Sequence, residues 1–213
     1  MKYYETSFDD YLKSNNLYNI HPELEEIQNR LPRSANQMEN IIVYGPPGVG
    51  KYTQTLKIIS KYSESLLKYD KKLEILTDKQ DYIMRFSDIH YEIDMSLLGC
   101  NAKTLWHEIF FQIVDIVSTK KEKIGIILCK NFHHINSELL DVFYSYIQHY
   151  DRNDNIQIKF VLITEQISFI PNKMTNICDL ITIPRLENEP YEKLNKINDI
   201  VAKNTYLSNF TTK

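Results

Sequence analysis

The chain has 213 residues, with 25 Lys and Arg against 28 Asp and Glu and a pI near 6.1. That length can bury one substantial core and suits one α/β domain with short appendages, while the near-neutral charge balance excludes a global footprint for nucleic acid. The three cysteines, Cys100, Cys129 and Cys178, are odd in number and widely spaced, so they suggest neither a disulfide framework nor a zinc site and fit a reducing compartment.

No charged-then-apolar leader opens the chain, and no apolar run approaches the roughly 18 residues of a membrane span. A soluble, intracellular protein is expected, nuclear or cytoplasmic, with no membrane contact. Ile, Asn, Lys and Tyr dominate and only three alanines occur, the composition of an A/T-rich coding sequence. Such a bias suits a large DNA virus or a fast-evolving genome, and a viral source would place the protein at a viral replication site.

Residues 1–20 are polar and aromatic without a clear period. Pro22 with acidic residues just after it reads as a first helical turn, which predicts a helix over 22–30 stopped by Pro32. Residues 1–39 thus form an N-terminal extension with a helix.

Ile41 to Tyr44 reads as a strand, and it delivers the chain into Gly45-Pro46-Pro47-Gly48-Val49-Gly50-Lys51-Tyr52-Thr53. A strand that enters a glycine turn and leaves as a helix gathers backbone N–H groups and the helix's positive end around one point, a cradle for phosphate oxygens. Lys51 supplies the cation for the β/γ-phosphates. The pattern requires Ser or Thr after the lysine, because a short hydroxyl reaches Mg²⁺, and Tyr52 breaks it. Thr53 carries a hydroxyl one residue late, but one step along a helix turns a side chain by about 100°. ATP or ADP is the expected ligand, and the role of Mg²⁺ is left open.

The spacing of Leu56, Ile59, Tyr62, Leu66 and Tyr69 predicts a helix over 51–69. Strands follow over 73–76, 82–86 and 90–94, then an amphipathic helix marked by Leu105, Trp106, Ile109, Phe110, Ile113, Val114 and Val117. The continuous apolar run 124–129 suits a central strand buried on both faces. A helix over 137–149 and strands over 158–164 and 180–183 come next. From Glu189 a helical pattern (Tyr191, Leu194, Ile197, Ile200, Val201) thins out towards Lys213. This alternation predicts an α/β fold of the P-loop NTPase kind, a parallel sheet with helices on both faces. Its core spans 40–187, with a C-terminal helix and tail over 188–213.

In P-loop ATPases a second apolar strand ends in a carboxylate that holds Mg²⁺, often beside a glutamate that polarises water. Here the strand over 124–129 runs into Lys130, which repels a cation, and Asn131, which cannot take a proton. Nucleotide binding without hydrolysis is therefore expected, and no residue is assigned as catalytic. Two alternatives stand beside it: a working ATPase with a displaced carboxylate from Asp88, Asp94 or Glu165, and a structural or interaction protein reusing the fold. His133 and His134 diverge at a strand's exit with no third ligand spaced to join them, so no metal site is expected there.

With these pieces placed, the order of motifs over 22–187 resembles the AAA+ module of clamp-loader small subunits, the replication factor C family. It looks closest to the small subunit whose own nucleotide site is degenerate. The carriers are the loop from Gly45 to Thr53, which in that subunit class also lacks Ser or Thr at the position of Tyr52, and Leu73-Glu74 with His90-Tyr91-Glu92-Ile93 and the helix from Leu105. Lys130-Asn131-Phe132-His133-His134-Ile135 sits at the place of the acidic box, and Phe160 to Glu165 resembles the first sensor strand, with Glu165 at its polar residue. Thr175-Asn176-Ile177-Cys178 occupies the place of the Ser-Arg-Cys motif.

The resemblance puts Ile177 where an arginine finger would reach a neighbour's ATP, which implies no activation of that neighbour. The family continues into a lid and a helical collar, so it also implies that 188–213 is a truncated lid remnant and that a collar does not assemble this chain into a ring. The implied role is a clamp-loader-like subunit in DNA replication. Its implied partners are other AAA+ subunits and a sliding clamp, with DNA contacted through the assembly.

Overall fold

A computed structural model describes residues 6–76, 81–151 and 155–185. It opens with a helix where no element was expected, α1 (Phe8–Leu17). The Ser7 side chain accepts the Asp10 N–H while the Asp10 carboxylate accepts the Ser7 N–H, a reciprocal capping box. The next helix, α2 (Leu24–Arg30), stops before Pro32 as expected.

Strand β1 (Asn40–Tyr44) leads through the glycine loop into α3 (Lys51–Ser60). The expectation of a helix out to residue 69 is overturned. Ser63 donates its hydroxyl to both Asp88 oxygens at 2.7 and 2.9 Å and accepts the Leu67 N–H at 2.9 Å, while the Ser65 N–H binds the same carboxylate. These side-chain partners compete with the helical ladder and turn the chain. Leu66 and Leu67 take left-handed φ values of 53° and 57°, and Leu66 and Tyr69 are exposed rather than buried.

The chain continues through β2 (Lys71–Ile75), β3 (Tyr82–Phe86), β4 (His90–Asp94), α4 (Ala102–Ser118), β5 (Ile124–Lys130), α5 (Ser137–Asp151), β6 (Gln157–Thr164), α6 (Asn172–Thr175) and β7 (Cys178–Thr182). The seven strands form one sheet in the order β2-β3-β4-β5-β6-β1-β7. From β4 to β7 every pairing is parallel, and the architecture is the expected α/β one. The sheet is mixed, however, because β2, β3 and β4 pair antiparallel. The connections from 75 to 82 and from 86 to 90 are too short for the crossover that parallel neighbours need. The helix expected from Glu189 lies outside the described residues.

Alternate residues of the central strands face two separate cores. Ile41, Val43, Ile126, Leu128, Val161 and Ile163 pack with Phe8, Leu24, Leu56 and Ile59 from α1, α2 and α3. Ile42, Ile127, Cys129, Phe160 and Leu162 pack with Trp106, Phe110, Ile113, Phe143 and Ile147 from α4 and α5. A strand buried on both faces reads as a continuous apolar run, which is why β5 and β6 were legible from sequence. Register fixes the ends: Tyr44 lies beside Thr164, Cys129 beside Leu162, and Asp94 beside Lys130. The exits of β1, β4, β5 and β6 therefore meet at one edge of the sheet.

Candidate nucleotide site

Gly48 and Gly50 take left-handed φ values of 75° and 83°, a conformation that side chains with a Cβ rarely adopt, and Gly50 caps α3 in that state. The loop thus presents the first turn of α3, with its unpaired N–H groups, beside the exit of β1. From the N-terminal side Ile20 packs over Gly50, and the buried His21 sets Nε2 2.8 Å from the Val49 carbonyl. The Gln54 amide of α3 donates to Asn15 and Asn19 at 3.0 Å each, so the extension is fastened to the phosphate loop rather than loose from it.

Lys51 is 8% exposed. Its ammonium donates to the Pro46 carbonyl at 2.6 Å and to Glu165 Oε1 at 3.3 Å. Glu165 lies just past β6, and its N–H donates to His133 Nδ1 at 3.4 Å. His133 Nε2 lies 3.9 Å from the same carboxylate. Burial and the neighbouring His134 hold the His133 imidazole below its ordinary pKa against the pull of Glu165.

Tyr52 reaches across to β4. Its hydroxyl donates to Glu92 Oε1 at 2.5 Å, and the ring meets the Tyr11 ring edge-on with centroids 5.0 Å apart. The Glu92 side chain is 1% exposed, and its other oxygen accepts from Lys130 Nζ at 3.2 Å. His90 Nε2 stands 3.7 Å away. Burial opposes ionisation of Glu92, yet His90, the Lys130 charge and the Tyr52 hydroxyl together hold its carboxyl below the ordinary value. The Tyr52 hydroxyl shifts upward, through burial first and then through the Glu92 charge it serves.

Asn131 sits at φ 52° just beyond β5, and its amide donates to both oxygens of Asp94 at 3.0 and 3.1 Å. Asp94 also accepts from the Ser96 backbone and hydroxyl. A cavity of about 390 Å³ opens between these groups, lined in part by Gly48, Gly50, Lys51, Arg85, Asp94 and Lys130.

The structure therefore brings together Lys51, Tyr52, Lys130, Asn131 and Glu165 at one edge. It leaves Ile177 elsewhere: Cys178 pairs with Asn40 at the start of β1, so Ile177 belongs to the opposite edge, where it lines a cavity of about 540 Å³. Of the three carboxylates considered for a displaced catalytic role, Asp94 lines the site cavity and Glu165 touches Lys51. Asp88 is excluded, because it precedes β4 and is spent on Ser63 and Ser65. Sequence reasoning passed over Glu92, Arg85 and Tyr11. Glu92 had a signal: a carboxylate flanked by Tyr91 and Ile93 in a strand next to the central one must be buried and partnered.

No protein-family model matches the chain, and no curated protein matches it. Among solved structures it is similar to the Holliday junction branch migration motor RuvB of Thermotoga maritima, at 15% identity and a TM-score of 0.42 over 85% of this chain and 48% of that one. It is similar also to PCH-2 of C. elegans, at 14% identity and a TM-score of 0.47 over 84% of this chain and 46% of that one. The chain spans about half the length of these structures, and at such identities and scores nothing about activity follows from the likeness. No helix among the described residues is long and apolar enough to cross a membrane.

Proposed function

We propose that this chain is an AAA+-type subunit that binds ATP or ADP without hydrolysing it and serves a clamp-loader-like assembly in DNA replication. One observation carries the reading. A phosphate loop with its glycines in the required conformation and its lysine in place shares an edge with a strand exit that offers Lys130 and Asn131 instead of a metal-holding and a water-polarising carboxylate. Asn131 is spent on Asp94 and Lys130 on Glu92, so neither is poised to take a proton from water.

The resemblance of motif order supplies the finer part: partner subunits, a sliding clamp, and DNA reached through the assembly. The opposite-edge position of Ile177 agrees with a segment that would face a neighbour rather than its own nucleotide. Titration calorimetry with ATP and ADP, alongside a turnover assay, tests the first part. Binding is expected, with turnover at background. Turnover near about one per second that Lys51→Ala abolishes would overturn it. Crosslinking in the source extract tests the second part, which predicts recovery of AAA+ subunits. A monomer that recovers none would favour the scaffold alternative.

A second reading draws on Asp94, the one carboxylate in the described residues that lines the cavity beside Lys51. If the chain is a working ATPase after all, Asp94→Asn should abolish turnover while leaving nucleotide affinity within a few-fold.

A further inference from the structure

P-loop nucleotides are ordinarily bound with Mg²⁺, and the residues here do not fit that ion. The side chain after the loop lysine is a phenol whose hydroxyl is turned into the sheet and committed to Glu92. The strand exit that would offer a carboxylate offers an ammonium. The three acidic groups close by are engaged: Glu165 pairs with Lys51, Glu92 is enclosed and accepts from Lys130 and the Tyr52 hydroxyl, and Asp94 is gripped by Asn131 and Ser96.

The same groups fit a bare polyphosphate well. Lys51, Arg85 and Lys130 all line the cavity, against the single lining carboxylate Asp94, but Arg85 is held by Asp70 and the Thr6 carbonyl, which leaves Lys51 and Lys130 as the two cations for a phosphate. The Lys130 side chain is 28% exposed, above the Tyr52 ring at 5.4 Å, while the carboxylate it binds is closed to solvent. Lys130 therefore has an open side facing the cavity and a closed side facing Glu92. If it leaves Glu92 for a phosphate, the carboxylate keeps the Tyr52 hydroxyl bond at 2.5 Å, with His90 Nε2 3.7 Å away.

We infer that the loop takes its nucleotide free of divalent metal, and that Lys130 supplies the positive charge that Mg²⁺ brings to the β- and γ-phosphates in other P-loop proteins. This rests on the nucleotide-binding reading above and names the form of ligand and the residue that selects it.

The test is the affinity of the full chain for ATP, by calorimetry, in excess EDTA and in excess Mg²⁺, for wild type, Lys130→Met, Lys130→Arg and Lys130→Asp. Wild type should bind ATP in EDTA at least as tightly as in Mg²⁺. Lys130→Met should weaken metal-free binding about tenfold or more, the scale of one charge-assisted contact. Lys130→Arg, which keeps the charge beside Glu92, should stay within about threefold of wild type. Lys130→Asp should bind more tightly with Mg²⁺ than without. Thermal melting of each variant identifies any loss that is merely loss of fold, and Lys130→Arg keeps the experiment decisive if Lys130→Met unfolds. Wild-type binding that improves tenfold with Mg²⁺, or metal-free binding unaffected in a folded Lys130→Met, overturns this inference and leaves the nucleotide-binding reading standing. Absence of ATP binding under both conditions overturns that reading and this inference with it.

Discussion

Lys51 does not wait in an empty loop: its ammonium is shared between the Pro46 carbonyl and Glu165. On the proposed reading a phosphate would displace a carboxylate that already satisfies the cation, and part of the binding free energy would be spent on that exchange. Glu165→Gln keeps the shape and removes the competing charge, so it should tighten ATP binding several-fold, the scale of a partly exposed ion pair. Calorimetry would show this directly, and weaker binding would mean that Glu165 helps to hold the ligand. Glu92 carries a second residue-scale consequence. Its pKa is lower in the folded protein than in the unfolded chain, so the unfolded state binds more protons on acidification. The stability it contributes is fully present above the ordinary value of 4.5 and is lost as pH falls through the lower folded value. Asp88 acts with the same sign: burial opposes its ionisation, but the Ser63 and Ser65 bonds outweigh burial. Urea unfolding at a series of pH values should thus show stability falling in acid, and Glu92→Gln should remove up to one proton's worth of that slope without abolishing it. An unchanged slope in Glu92→Gln would show that its carboxylate titrates alike in both states.

At the scale of elements, α1 turns out to be a lid over the helix that follows the phosphate loop. Phe8 is fully buried, its ring 4.7 Å from the His90 ring and beneath the Arg85 guanidinium at 4.5 Å. The capping box at Ser7 fixes where this helix begins, so Ser7→Ala should cost about 1 kcal/mol of stability by chemical denaturation, the usual value of a lost N-cap. A loss under a few tenths would mean that packing of Phe8 alone sets the helix. The same element shows why sequence was an uneven guide. In α4 the residues marked by their spacing, from Leu105 to Val117, are all buried, because a helix between a sheet and solvent writes its burial into a local period. The burial of α1 rests on Phe8, Tyr11 and Leu12 and on bonds that the Gln54 amide donates to Asn15 and Asn19, 39 and 35 residues away. No window of the sequence contains both ends of such a bond. The early stop of α3 has the same origin, since the carboxylate that captures Ser63 is 25 residues downstream. The motif-bearing part of the site was legible because a phosphate loop is contiguous. Its counter-charges were not, because Glu92 and Lys130 meet only through the pairing of β4 with β5.

For the whole molecule the sheet separates two edges that the chain joins through one five-residue strand. Asn40, at the start of β1, donates to Asp151 at 3.0 Å and accepts the Phe160 N–H at 2.8 Å, and Lys159 holds the same Asp151 at 2.8 Å. About 13 Å of strand, at some 3.3 Å per residue, then runs to Tyr44 and the phosphate loop. The edge at Asn40 carries Ile177 and a cavity with Glu39, Asp151 and Asp179 in its wall, an acidic counterpart to the three cations at the other end. With no residue shared between the two sites, substitution at one should not register at the other. Ile177→Ala is expected to leave ATP affinity within about twofold of wild type in the isolated chain. Within an assembly it should also leave a neighbour's turnover unchanged, whereas loss of a working arginine finger costs about 10³ to 10⁵ in rate. The two measurements, calorimetry on the chain alone and turnover in the complex, separate the possibilities. A shift in affinity would mean that the edges are coupled through β1, and a fall in the neighbour's turnover would mean that Ile177 holds the interface by apolar contact despite having no charge to insert.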